Sequence, residues 1–151
     1  MGRFYLDTSI VAYTDDGNEP RKQAIALELV ARAFSGSSGV ISIQVLQEYF
    51  NAATRKLGVD AATARRKVEL LSRLETARLE ARDVLAAIDL QGVHGLSFWD
   101  ALIMQAALLA QCTILYSEDL QSGRRLGSLQ VVNPFLDAQG TPADVLPHRW
   151  R

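Results

Sequence analysis

Four carboxylates, Asp7, Glu48, Asp100 and Asp119, each stand beside an apolar run rather than inside a charged stretch. Carboxylates gathered at one place repel each other unless protons or a cation intervene. Oxygen donors without His or Cys select Mg²⁺ or Mn²⁺ over Zn²⁺. Those ions bind phosphate oxygens and activate water, so such a set points to phosphoryl chemistry. Other ligand types are scarce. Cys112 is the only cysteine, and His94 and His148 lie far apart in sequence. One thiol makes neither an internal disulfide nor a zinc site, and it fits a reducing, cytoplasmic setting.

Each acid also has a plain structural reading. Asp7 closes the run Arg3-Phe-Tyr-Leu-Asp7, which reads as a buried parallel-type strand with the acid at its carboxyl end. That is the edge where open α/β sheets bind ligands; a turn or helix-capping aspartate is the alternative. Asp119 repeats the arrangement after Thr113-Ile-Leu-Tyr116, with a solvated acidic loop as the alternative. Asp100 sits in the first turn of the most apolar helix and shares a face with Ile103, Met104 and Ala107. A charge beside such a face is costly unless paired or bound to a cation. Ser97-x-x-Asp100 also has the form of a capping box with Asp in place of Glu or Gln, and an acid suits the positive end of the helix dipole. Capping leaves carboxylate lone pairs, so both readings of Asp100 can hold. Glu48 borders an apolar helix face among Leu46, Tyr49 and Phe50, where most glutamates are solvated.

The elements that must position these acids follow from periodicity and punctuation. Thr8 or Ser9 caps a short helix through about Thr14, and Asp15 to Asn18 form a turn. Pro20 opens a helix that runs to Phe34 and stops at Ser35-Gly-Ser-Ser-Gly39. Val40 to Ile43 form a second buried strand, Gln44 to Leu57 a helix, and a further helix capped by Asp60 or Thr63 runs to about Leu74. Thr76 to Glu80 make a short strand, Arg82 to Leu90 a helix ended near Gly92, and Ser97 to Gln111 a buried helix. Thr113–Tyr116 and Leu129–Val132 are strands. Strands alternating with helices imply an α/β fold with a parallel sheet. Residues 1–137 form the domain, and 138–151, with Gly140, Pro142 and Pro147, form a tail.

Composition bounds the rest. A chain of 151 residues with 48% hydrophobic and 22% charged residues suits one globular domain and excludes extended disorder. The longest apolar stretch, Ala101 to Ala110, is about half the length of a membrane span. The start, Met-Gly-Arg-Phe-Tyr-Leu-Asp, lacks the pattern of a secretory signal. A net charge of −1 counts against a general nucleic-acid binder, although Arg supplies 13 of the 16 basic residues and forks well onto phosphate. Arg55, Lys56, Arg65, Arg66, Lys67 and Arg73 make a basic stretch over two predicted helices, either an RNA guide or a solvated face. Arg124 and Arg125, close to Asp119, either hold phosphate or lie in a solvated loop. Trp99 is assigned to the core rather than to base stacking.

Five segments in order, Leu6-Asp-Thr-Ser9, Glu48 in Leu-Gln-Glu-Tyr-Phe, Ser97-Phe-Trp-Asp-Ala-Leu-Ile103, Ser117-Glu-Asp-Leu-Gln121 and Val132-Asn-Pro-Phe135, resemble the PIN-domain ribonucleases. Within that family the chain is most similar to the VapC-like toxins of bacterial toxin–antitoxin pairs. The resemblance covers about residues 3 to 136. It implies a three-layer α/β/α fold with a central, mainly parallel sheet, and hydrolysis of RNA phosphodiesters with Mg²⁺ or Mn²⁺. It makes Asp7, Glu48, Asp100 and Asp119 the four acids, with Asp7 and Asp100 as direct metal ligands. Ser9 matches a family hydroxyl near the site, and Ser97 the residue that opens the third acid's motif. A homodimer and a cognate antitoxin are the implied partners. Members of this subgroup often read Asp-Leu-Gln-His-Gly where this chain reads Asp119-Leu-Gln-Ser-Gly123, a change that bears on local contacts rather than on the acid.

Two other classes compete. A haloacid-dehalogenase-type Mg²⁺ phosphatase also places an Asp after its first strand, but needs a second acid two residues on, where Ser9 stands. A non-enzymatic module could bind RNA or a partner through the same acidic pocket; the presence of all four acids argues against it.

Overall fold

The structure, a computed structural model, describes residues 2–136. The predicted tail, 138–151, and the boundary at 137 lie outside the described residues. The elements run β1 (Arg3–Leu6), α1 (Thr8–Tyr13), α2 (Pro20–Gly36), β2 (Gly39–Ser42), α3 (Ile43–Arg55), α4 (Ala61–Leu71), β3 (Glu75–Ala77), α5 (Ala81–His94), α6 (Phe98–Leu109), β4 (Cys112–Tyr116), β5 (Arg125–Leu126) and β6 (Leu129–Val132).

The strands form one sheet in the order β3-β2-β1-β4-β6-β5. Every pairing is parallel except the antiparallel β5–β6. The chain steps from β1 to β2 to β3 in one direction, then returns across the sheet to place β4 on the other side of β1. Right-handed crossovers therefore lay α1–α4 on one face and α5 and α6 on the opposite face. Packing agrees: α1 meets α2 and α3, α3 meets α4, and α5 meets α6. The result is the three-layer α/β/α architecture. The direction of winding reverses between β1 and β4, and a crevice opens at the carboxyl ends of two such strands. Asp7 follows one of them and Asp119 the other.

The strands are apolar because they are covered on two sides. Tyr5, Leu6, Ile41, Leu115 and Val131 are fully or almost fully buried, each large aliphatic contributing about 1.5–3 kcal/mol by leaving water. A Cβ added at Gly39 would lie 2.3 Å from that of Ala33. Glycine at the start of β2 is what lets α2 pack this closely.

Several boundaries differ from those predicted, each for a local reason. Asp7, not Thr8 or Ser9, caps α1. Ile43 starts α3 instead of ending β2, because the Ser42 hydroxyl accepts from Val45 N–H and begins the helix there. The helix α5 passes Gly92 and stops at Gly95, whose φ of 66° turns the chain left-handed; an exposed glycine inside a helix is tolerated. The strand β3 lies at Glu75–Ala77 rather than 76–80. The hairpin strand β5 was not anticipated. Its turn, Gly127-Ser128 between Leu126 and Leu129, is the two-residue type that sequence can mark. Among the described residues no helix is long and apolar enough to cross a membrane.

Candidate active site

Backbone bonds bring the two strand ends level. Leu6 pairs with Tyr116, Asp7 N–H donates to Tyr116 O at 3.0 Å, and Ser117 N–H donates to Val132 O at 3.1 Å. The side chains then cross the gap. Asp7 is fully buried; its Oδ1 accepts from Thr8 N–H at 2.7 Å and its Oδ2 from the Ser117 hydroxyl at 2.6 Å. Asp7 thus caps α1, and the capping reading of this residue holds alongside any chemical one. Ser117 Oγ also accepts from Asp119 N–H at 3.1 Å and Leu120 N–H at 3.3 Å. One hydroxyl therefore orients Asp7 and folds the loop that carries Asp119.

Glu48 is tied to the same place from above. Its Oε1 accepts from the Thr8 hydroxyl at 2.6 Å and its Oε2 from Gln44 Nε2 at 3.3 Å. The Gln44 amide also makes a long 3.5 Å contact to Trp99 O, which links this corner to the first turn of α6. Asp100 occupies that turn, with its N–H donating to Ser97 Oγ at 3.1 Å, so the serine cap forms.

Electrostatics show which acids feel one another. Both carboxylate oxygens of Asp119 are buried. Burial first, then the charges of Asp7, Glu118 and Glu48, push the Asp119 carboxyl up to about 7, while Lys56 acts in the opposite direction. Asp7, Glu48 and Asp119 thus share one acidic pocket, while Asp100 lies in the first turn of α6, which the long Gln44–Trp99 contact joins to the Glu48 corner. Among the described residues no three His, Cys, Asp or Glu side chains form a ready metal shell. The donors at hand are all carboxylate oxygens under mutual repulsion, which is the chemistry that a hard divalent cation fits.

The remaining predicted residues take structural contacts. Ser9 is buried and its hydroxyl accepts from Glu118 N–H at 3.1 Å, bracing the loop beside Asp119. Arg124 Nη1 donates to His94 O at 3.1 Å, at the negative end of α5, and Arg125 reaches across the hairpin to Gln130 at 3.2 Å. In the basic stretch, Lys67 is engaged by Asp15 and Thr14 and Arg65 faces Glu69. Trp99 is 59% exposed, which corrects its assignment to the core: the buried side of α6 belongs to Ala101, Ile103, Met104 and Ala107, and Trp99 falls off that face.

Sequence reasoning missed Thr8, Gln44 and Ser117, which fix the acids, and Lys22, which is buried against Glu118. The clue for Ser117 was its position immediately after a strand and two residues before an acid. A lysine inside the periodic pattern of α2 gave no comparable sign.

The family model for the PIN domain matches residues 4–124. The chain belongs to the PIN domain family. Solved PIN-fold structures similar to it include the Mycobacterium tuberculosis toxin VapC20, described as cleaving the sarcin–ricin loop, at 22% identity and a TM-score of 0.63, covering 77% of this chain and 89% of that one. A toxin–antitoxin complex from Klebsiella pneumoniae gives 18% identity and a TM-score of 0.65, and VapBC-1 of nontypeable Haemophilus influenzae gives 21% and 0.58. Each of these two alignments covers 87% of this chain and 97% of the other. At such identities the likeness speaks for the fold. No curated protein sequence is a significant match. In this PIN domain Asp7 and Asp119 follow the two strands between which the winding of the sheet reverses, and Glu48 is tied to them through Thr8.

Proposed function

We propose that this PIN-domain chain is a Mg²⁺- or Mn²⁺-dependent endoribonuclease, the toxin of a toxin–antitoxin pair that acts in the cytoplasm as a homodimer and is blocked by a cognate antitoxin. The observation that carries the reading is the burial of both Asp119 carboxylate oxygens among the charges of Asp7, Glu118 and Glu48, which together raise its carboxyl to about 7 and which a cation would relieve. The toxin role is supported by the toxin–antitoxin descriptions of the similar structures.

Asp7 and Asp100 are the proposed direct ligands, with Glu48 and Asp119 completing the set. A bound Mg²⁺ or Mn²⁺ lowers the pKa of its water and offsets charge on the phosphate oxygens. The chain's own residues supply orientation. Ser117 and Thr8 hold Asp7 in one rotamer, and Thr8 and Gln44 hold Glu48. Hydrolysis by in-line attack of water leaves a 5′-phosphate and a 3′-hydroxyl.

The test is cleavage of labelled single-stranded RNA in Mg²⁺, Mn²⁺ or EDTA. Activity should need the cation, and Asp100→Asn or Asp119→Asn should lower the rate by about a hundredfold or more with the circular dichroism spectrum unchanged. Wild-type rates in both variants would overturn the mechanism. Intact RNA together with no calorimetric heat on adding Mn²⁺ would leave a non-enzymatic binding module. Intact RNA with hydrolysis of a small phosphate monoester would leave a phosphatase.

A further inference from the structure

Next to the acidic pocket lies a cleft of about 580 Å³ formed by the amino ends of α3 and α6, the residues after β3, and α5. Its size is that of a small-molecule site. Gln44, Gln47 and Arg78 bring amides and a guanidinium to its lining; Val84, Trp99 and Leu102 bring apolar surface. Gln44 belongs to both places, since its amide also holds Glu48. Gln44 and Gln47 are three residues apart on α3 and therefore neighbours on one helix face. Among the described residues Arg78 has no ion-pair partner. Trp99 meets Phe98 edge to face at 5.2 Å, yet stays 59% exposed.

Charge narrows the occupant. Without a bound cation the acidic pocket repels the phosphates of a nucleic acid, and a chain with a net charge of −1 does not offset that by general attraction. Affinity for a single strand must then come largely from its bases. Stacking on an aromatic side chain supplies it with little regard to sequence, and amide side chains read base edges through paired donors and acceptors. The cleft offers these groups next to Asp100 and Glu48.

We propose that this cleft binds one unstacked nucleobase of a single-stranded RNA, with Trp99 as the stacking surface, Gln44 and Gln47 facing the base edge and Arg78 meeting a flanking phosphate. The proposal deepens the ribonuclease reading and rests on it for the identity of the polymer.

The chain has two tryptophans, Trp99 and Trp150, so in a Trp150→Phe background Trp99 fluorescence reports the cleft alone. In EDTA, a short single-stranded RNA should quench it saturably, and the same backbone without bases should not. In the cleavage assay Trp99→Ala should raise KM about tenfold with a smaller change in kcat, and Trp99→Phe should restore most of the loss. Gln47→Leu should change which base is preferred beside the cut, read by sequencing RNA ends. Equal quenching by the base-free backbone, or an unmoved KM in Trp99→Ala, would overturn the proposal. Loss of binding to a protein partner in Trp99→Ala, with RNA binding intact, would overturn it in favour of protein docking. Saturable, base-dependent quenching by a protein that cleaves no RNA would instead sink the ribonuclease reading and leave the base site standing.

Discussion

Two clusters of the same three side-chain types brace the helices of this fold, and they differ mainly in depth. In one, Lys22 of α2 donates to Glu118 at 2.7 Å, Tyr13 donates to the other oxygen of Glu118 at 2.7 Å, and the ammonium lies 5.0 Å from the Tyr13 ring centre. In the other, Lys67 of α4 donates to Asp15 at 2.8 Å, Tyr49 donates to the other oxygen at 2.6 Å, and the ammonium lies 5.4 Å from the Tyr49 ring. The Lys22 and Glu118 side chains are 3% and 10% exposed; Lys67 and Asp15 are 23% and 22%. Burial, then the bond to Asp15 and its charge, push the Tyr49 phenol well above its ordinary range, so it stays a donor. The deeper cluster holds the loop that carries Asp119, whereas the shallower one joins α4 to the α1–α2 turn. Depth decides the energetics, because water stabilises a broken pair at the surface and not inside.

The largest expected effect therefore comes from breaking the deep cluster. Lys22→Met leaves Glu118 buried without its cation and should destabilise the fold by about 3–5 kcal/mol, measured by urea unfolding at neutral pH. Adding Glu118→Gln to Lys22→Met should recover much of the loss, since the amide needs no counter-charge. If the double variant is no more stable than Lys22→Met, the cost is one of packing, with the (CH₂)₄ stem of Lys22 as the group that matters.

The neighbour of Glu118 provides the next contrast. Glu118 has a lysine; Asp119 faces other acids and is raised to about 7 from an ordinary 3.8. Between those two values the folded chain keeps a proton that the unfolded chain has released. The contribution of Asp119 to the stability of the metal-free protein should then be fully present below about pH 4 and be lost as pH rises through 7, by on the order of a few kcal/mol. Asp119→Asn should flatten that slope and exceed the wild type in urea midpoint at about pH 8 in EDTA. A slope unchanged in the variant would assign it to another group. If the proposed cation binds here, Mn²⁺ at about 100 times its Kd should add about 2.7 kcal/mol to the wild type above pH 7 and less to Asp119→Asn.

What the sequence made legible divides along the same line. Periodicity and strand-end position located Asp7 and Asp119 correctly at one sheet edge, because apolar runs and their termini are local properties. The cap at Ser97–Asp100 was equally local. Contacts such as Ser117 with Asp7, 110 residues apart, or Lys22 with Glu118, 96 apart, leave no local trace, since a serine or lysine reads the same whether it bridges strands or faces water. Arg124 shows how a hairpin adds a contact that nearness in sequence does not report. Its nearness in sequence to Asp119 left phosphate or a solvated loop open, and in the structure, just before the unanticipated β5–β6 hairpin, its guanidinium reaches the carbonyl end of α5.

The smallest expected effect tests the shallow cluster. Lys67→Met removes the ion pair with Asp15 and the bond to the buried Thr14 hydroxyl, but water can reach Asp15, and pairs open to solvent contribute about 1 kcal/mol or less. The loss should shrink further in molar salt, because a Debye length of about 3 Å screens such a pair, whereas the Lys22→Met loss should hardly respond to salt. Hydrogen exchange at the α4 amides should rise in Lys67→Met while amides of the 117–120 loop stay protected. A Lys67→Met loss as large and salt-independent as that of Lys22→Met would break the comparison, and would mean that the tie to the α1–α2 turn, rather than depth of burial, sets the strength of a Lys–acid–Tyr cluster in this fold.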